Sequence, residues 1–514
     1  MDCINHWDTS TLVFLGFWGI IIFSVSWYAR LYFIKHLHCH TPPGPPGLPL
    51  IGNLLSLGPE LHKHFTSLSQ TYGPIFSLKL GAKYCVVVSS PSMAQLVLRD
   101  HDVIFANHDI PVALTEATYG ASDILCAPYG SDWRMLRKVF VQYMLSNSCL
   151  GSVYLLRRKE VRKTVGYLYS RVGSPVVIGE QMFLTALNVM TSMIWGGTVE
   201  EGHERAIVGA EFRKVVADFT KLLGKPNVSD FFPGLAKFGL QGVEKKMGLV
   251  VQRFDQIFEK ILKQRLKMKQ ERSNEDESKD FLDFLLKLKD DQNSKVPLTM
   301  AQIKGLLMDV VVAGTDTSAN TIEFAMAETM SNPDVMKKIQ QELEGVVGQD
   351  NMVEESHVHK LPYLLAVLKE TMRLHPVVPL LVPHCPSETT SVGGYTIPKG
   401  SRVFVNVWAI QRDPSVYDNP LNFDPSRFLD SQMDFRGNDL SYLPFGSGRR
   451  ICAGISLAEK NLMYSLATMI HSFDWKVPQG QQLDIEEKFG MVLKKKTPLV
   501  AIPTPRLSNP ALYE

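Results

Sequence analysis

Residues 445–454 read Phe-Gly-Ser-Gly-Arg-Arg-Ile-Cys-Ala-Gly. The spacing Phe445-x-x-Gly448-x-Arg450-x-Cys452-x-Gly454 suits a cysteine sulfur held under a porphyrin iron. Gly446, Gly448 and Gly454 permit backbone shapes and close approaches that a Cβ would block. Residues 455–473 carry an apolar helical face, so Cys452 lies at a helix N-terminus, where the dipole and free amides favour an anionic sulfur. Arg450 is placed to meet a haem propionate. A glycine-rich turn with an incidental cysteine would match these five positions roughly once in ten thousand chains of this length.

This segment resembles the haem-binding signature of the cytochrome P450 family, and further landmarks follow in that family's order along essentially the whole chain. The resemblance implies a mainly α fold with a small β portion and haem b as cofactor. Residues 313–318 read Ala-Gly-Thr-Asp-Thr-Ser within an apolar stretch. By resemblance this is the oxygen-activating helix: Gly314 lets it pass close over the haem face, and Asp316 and Thr317 are an acid–alcohol pair for proton delivery. Glu370 and Arg373, at i and i+3, share one helix face. The family joins such a pair to a further arginine, here Arg427, in a network bracing the haem side. The family usually has glutamate where this chain has Ser426, which leaves the partners of Arg427 open. Trp133 and Arg137 resemble the residues of a helix clamping a propionate, and His384 is a further propionate candidate.

These residues need elements to hold them. Helical periodicity runs through 300–330 and 334–347, the second opened by Asn332-Pro333. Strand-like runs occur at 75–80, 84–89 and 402–407. The charged stretch 264–294 reads as a helix end and an exposed loop. Residues 9–29 carry no charge, enough helix for roughly 30 Å, about one hydrocarbon core. Asp8 precedes this run, and Arg30, Lys35, His36 and His38 follow it, which predicts a single-pass anchor with its basic flank in the cytoplasm. The run is too long and bulky for a cleaved signal peptide. A proline strap, Thr41-Pro-Pro-Gly-Pro-Pro-Gly-Leu-Pro49, stops the helix from continuing. The expected organisation is an anchor over 1–34, a linker over 35–53 and one catalytic domain over 54–514.

Composition excludes other classes. The 514 residues carry a formal net charge of +2 and no basic stripe, so nucleic acid is not an expected partner. Seven cysteines without a CxxC pair argue against a disulfide framework or a zinc site and fit a reducing compartment. The Asn227-Val-Ser229 sequon falls in the part expected to face the cytosol. The Met-rich run 181–195 reads as core. Neither a flavin nor a nicotinamide loop is encoded, so electrons must come from a separate protein.

The resemblance implies that the electron donor is a separate, membrane-bound, flavin-containing NADPH–cytochrome P450 reductase, with NADPH used only indirectly. Arg134, Lys138 and Arg449 are candidate docking residues. The implied reaction puts one oxygen atom of dioxygen into a C–H bond or alkene and the other into water. A monomer on the cytoplasmic face of the endoplasmic reticulum membrane is expected.

The resemblance also implies the pocket. Residues 109–125 contribute Val112 and Leu114, and residues 305–313 contribute Leu306, Val311 and Ala313. Residues 377–382 contribute Val377, Leu380, Leu381 and Val382, and residues 489–493 contribute Met491 and Val492. This aliphatic lining favours a compact apolar substrate. The wording of the strap and motifs looks like plant microsomal members that hydroxylate terpenoids, sesquiterpenes or monoterpenes. A phenolic or flavonoid hydroxylase is the alternative within the family. A peroxide dehydratase or isomerase would lack the acid–alcohol pair. A membrane-tethered haem sensor or carrier would have no need of it.

Overall fold

The computed structural model describes residues 14, 16–19, 21–27, 40–196, 203–223, 225–271, 280–290 and 298–514. Helices dominate, and those that place the site are α1 (Leu61–Tyr72), α2 (Ser131–Lys138), α3 (Ile178–Trp195), α4 (Met300–Ser331), α5 (Pro333–Val346), α6 (Pro362–Leu374) and α7 (Ile455–Ser472). The largest sheet has five strands, β1 (Ile75–Leu80), β2 (Lys83–Val88), β3 (Asn107–His108), β4 (His384–Cys385) and β5 (Arg402–Val405). Their spatial order is β1-β2-β5-β4-β3, with β2 and β5 parallel and the other pairs antiparallel. The expected strands and helices are present within one residue at each end, apart from the third strand, which stops two residues early at Val405.

The central element is α4. Thr299 and Gln302 form a reciprocal capping box at its start. Asn332 leaves helical geometry at its end, and Pro333 opens α5 at a position where no amide hydrogen is needed. Between these ends α4 is buried on nearly all sides, packed chiefly against α3 and α7. A helix with apolar neighbours all round is a core element. Pro362 likewise opens α6, and His375-Pro376 ends it.

The proline strap is fastened to the sheet. Ser77 N–H donates to Pro43 O at 2.7 Å, and its hydroxyl to Pro42 O at 2.8 Å. Asn53 bridges back to Pro45 and Pro46 through its amide and to Lys79 through its main chain and side chain. Gly44 lies so close to Ser77 O that a Cβ there would sit 1.8 Å away.

Of the anchor expected over 9–29, only the residues named above are described. They are helical and, apart from the half-buried Ile21, exposed, with Phe14, Phe17, Trp18, Ile22, Phe23, Val25 and Trp27 turned outward. The rest of that expectation, and much of the charged stretch 264–294, lies outside the described residues. Among the described residues no helix is long and apolar enough to cross a membrane.

Candidate active site

The loop before α7 owes its shape to glycine. Gly446 and Gly448 both have φ +71°, and a Cβ on Gly448 would lie 2.0 Å from the Leu98 carbonyl oxygen. Gly454 has an ordinary φ of −90° and caps α7. Cys452 N–H donates to Phe445 O at 3.0 Å, closing the loop, and Gly454 N–H donates to the Cys452 sulfur at 3.3 Å. Although the Cys452 side chain has accessible surface, desolvation by the surrounding protein pushes its thiol up, while the Gly454 amide and the Arg137 charge oppose that and favour the anion. Gly448→Ala is expected to cost about 1–2 kcal/mol from φ alone, before the clash. Haem retained per protein after gel filtration should fall; a wild-type ratio would contradict this account.

Around this sulfur lies a cationic group. The Arg450 guanidinium sits 4.5 Å over the Trp133 ring and donates to the carbonyls of Ala106, Ile124 (2.8 Å) and Ala127 (2.6 Å). Trp133 Nε1 donates to the same Ile124 carbonyl at 3.0 Å. Arg137, one turn beyond Trp133 on α2, lies 5.9 Å over that ring. Burial draws Arg450 down to about 10, and Arg137 adds to the effect by repulsion. His384 Nδ1 donates to Phe105 O at 2.8 Å, and its ring meets His108 edge-on at 5.4 Å. Burial holds His384 down to about 4 and also lowers His108 well below the usual imidazole range.

Two mutually repelling arginines, an indole and two neutral imidazoles are suited to an anionic edge. One thiol backed by an amide donor is suited to iron. Cys452 is exposed, as is Ala313 in the middle of the otherwise buried α4. This donor set fits haem.

On α4, Thr317 lies one turn beyond Ala313 on the same side, and its hydroxyl donates to the Ala313 carbonyl. Asp316 is turned elsewhere: Lys494 Nζ donates to its Oδ1 at 2.8 Å, and Asn320 Nδ2 donates to its carbonyl oxygen at 2.6 Å and to Oδ1 at 3.2 Å. Three expectations need correction. A Cβ on Gly314 would meet Met190 of α3 at 2.9 Å, so its smallness serves helix packing and Ala313 takes the open position. Val311 is fully buried and lies about 160° round the helix from Ala313. Leu380 packs beneath the sheet with Phe65, Phe76 and Phe404.

The other pocket candidates divide by exposure. Leu114, Leu306 and Val492 are buried, Val112, Val377, Leu381 and Val382 are half-buried, and Met491 is exposed. Leu381 adopts φ +51° and packs against Gly446.

Glu370, Arg373 and Arg427 come together. Arg373 makes a two-point contact with Glu370 at 2.6 and 2.8 Å and also donates to the carbonyls of Gln411, Pro420 and Asn422. Arg427 Nε lies 3.4 Å from Glu370 Oε1. Ser426 donates through both its hydroxyl and its amide to Asp424, whose carboxyl is held low first by that hydroxyl and further by Arg427. Asp424 therefore supplies a negative charge beside Arg427.

Sequence reasoning passed over His108 and Lys494. His108 is on a two-residue strand, in register with His384. Lys494 opens the run Lys494-Lys495-Lys496, which reads as a solvated charge cluster.

The chain matches the family model "Cytochrome P450" over residues 42–502. It is 41% identical to carnosic acid synthase of Rosmarinus officinalis over 90% of this chain and 92% of that protein. It is 39% identical to a flavonoid 3'-monooxygenase of Crocosmia x crocosmiiflora over 98% and 99%, and 38% identical to geraniol 8-hydroxylase of Catharanthus roseus over 94% and 98%. Among solved structures it resembles a zebra fish cytochrome P450 with abiraterone, with TM-score 0.72 and 28% identity, over 87% of this chain and 100% of that one.

Proposed function

The chain belongs to the cytochrome P450 family as a haem-thiolate monooxygenase, and from that premise we propose that it hydroxylates a compact apolar terpenoid, a sesquiterpene or monoterpene. Haem held by a thiolate supplies dioxygen activation, the sulfur's donation favouring O–O cleavage in this family at large. The residue roles proposed here divide the remaining work. Cys452 holds the iron within a loop shaped by Phe445, Gly448 and Gly454. Arg137, Arg450, Trp133 and His384 hold the propionate edge. Thr317 and Asp316 handle protons, and the Glu370–Arg373–Arg427 network braces the fold. Electrons come from the NADPH-dependent reductase, docked at Arg134, Lys138 and Arg449.

The observation that carries the substrate reading is Ala313. It is an exposed methyl group in the middle of an otherwise buried helix, on the same side as Thr317. Relatives named geraniol 8-hydroxylase agree with that reading. A second reading, a phenolic or flavonoid hydroxylase, is favoured by the flavonoid 3'-monooxygenase relative and by Asp309. Asp309 is half-buried one turn before Ala313, and burial beside Asp123 raises its carboxyl well above the ordinary range. Such a group can hydrogen-bond a phenol. Membrane attachment as a single-pass protein of the endoplasmic reticulum is proposed on the outward-facing Phe14, Phe17, Trp18, Ile22, Phe23, Val25 and Trp27 together with Leu48 and Leu50 of the strap.

Co-expression with a plant reductase, followed by product screening on terpene and flavonoid panels, tests the proposal. A hydroxylated terpenoid is expected, and Ala313→Phe should cut its formation about tenfold, the size of an overpacked contact. A flavonoid product without a terpenoid one would decide for the second reading.

A further inference from the structure

We propose that Lys494 is a positioning residue for proton delivery: it holds the Asp316 carboxylate at the water-facing end of the route that Thr317 completes. The inference rests on the reading of Asp316 and Thr317 as the proton-handling pair. These two side chains leave α4 about 100° apart, and each has a different partner. Thr317 donates to the main chain on the Ala313 side, while Asp316 reaches Lys494 and Asn320.

The Asp316 side chain is 10% exposed and that of Lys494 is 49% exposed. A carboxylate so far from water needs a charged or hydrogen-bonding partner to offset its lost hydration. Lys494 meets that need with one of its three donors and keeps the others available to solvent. The pair therefore spans the distance from bulk water to the buried helix.

The neighbouring lysines are directed elsewhere. Lys495 is buried and reaches Asp484, and Lys496 pairs with Glu486 in solvent. Alternation along a strand sends adjacent side chains to opposite faces, which separates Lys494 from Lys495. The strand bearing Lys494 pairs with Glu487–Lys488, and the connecting residues 489–493 are the expected pocket wall that includes Met491 and Val492. Leu493 N–H donates to Val377 O at 2.8 Å, anchoring the same hairpin to the other pocket segment. Substrate contacts and the Asp316 partner are thus carried by one short element.

The test uses the full-length, haem-loaded protein with NADPH and a reductase, comparing K494M, K494Q, K494R, D316N and K494M/D316N. In K494M the hydrogen peroxide released per NADPH is expected to rise about threefold, the size of one partly exposed ion pair, with a larger solvent deuterium isotope effect. K494R should return both toward wild type, and K494Q guards against a folding artefact particular to methionine. The carboxylate infrared band lost in D316N should shift in resting K494M, without turnover. The double variant should match D316N alone, because Lys494 acts through Asp316. If D316N is impaired while K494M matches wild type, or the two defects add, the Lys494 inference falls and the Asp316 reading stands. If D316N itself behaves as wild type, the proton-handling reading fails and the inference with it.

Discussion

Cys452→Ser is expected to abolish the thiolate absorption signature of the reduced, carbon monoxide-bound protein and to lower turnover at least about a hundredfold. Disturbing groups merely adjacent to a metal ligand already costs 10–100-fold, and here the ligand itself is removed. Serine has nearly the shape of cysteine, so the loop should survive. The Cys452 amide still reaches Phe445 O, Gly446 and Gly448 still set the turn, and α7 still starts at Ile455. What changes is the charge the site can hold. The Gly454 amide, 3.3 Å from sulfur, and the nearby Arg137 are arranged for an anion that a serine hydroxyl does not readily supply. Haem content and the spectrum of the purified variant check the result. A thiolate spectrum surviving the substitution would remove Cys452 from the iron.

Glu370→Ala is expected to be nearly as damaging, through stability and not chemistry. Glu370 and Arg373 are fully buried, and Arg373 loses both of its charged contacts when Glu370 is removed. Asp424 N–H, which donates to Glu370 at 2.8 Å, also loses its acceptor. Breaking a buried pair from one side costs about 3–5 kcal/mol, a large part of the 5–15 kcal/mol that typically separates folded from unfolded protein. Soluble, haem-containing protein should be scarce, and any that is recovered should unfold at markedly lower denaturant. Arg427→Ala should be milder, because Arg427 is partly exposed and stands 3.4 Å from the carboxylate. An unchanged denaturation midpoint for Glu370→Ala would show that the network is dispensable.

Much of this protein was legible along the chain, and the reason is locality. A loop that must bend through two left-handed glycines and present a cysteine before a helix needs those residue types in one contiguous run, and residues 445–454 contain them. The two ends of α4 and the start of α6 were readable because caps and prolines act on their immediate neighbours. The Glu370–Arg373 pairing needed only helical spacing.

What meets what across the fold was decided by tertiary structure. Periodicity says which residues share a face, not what that face meets. Gly314 was expected over the haem and turned out to accommodate Met190. Leu380 was expected in the pocket and lies beneath the sheet, while Leu381 bends back onto Gly446. The carbonyls that hold Arg450 come from residues more than 320 positions earlier in the chain. His108 meets His384 only because two short strands pair, and Lys494 meets Asp316 across 178 residues only because a small hairpin folds onto α4. The residue types of the reaction are written locally, whereas their partners, exposure and charge environment exist only once distant segments pack together.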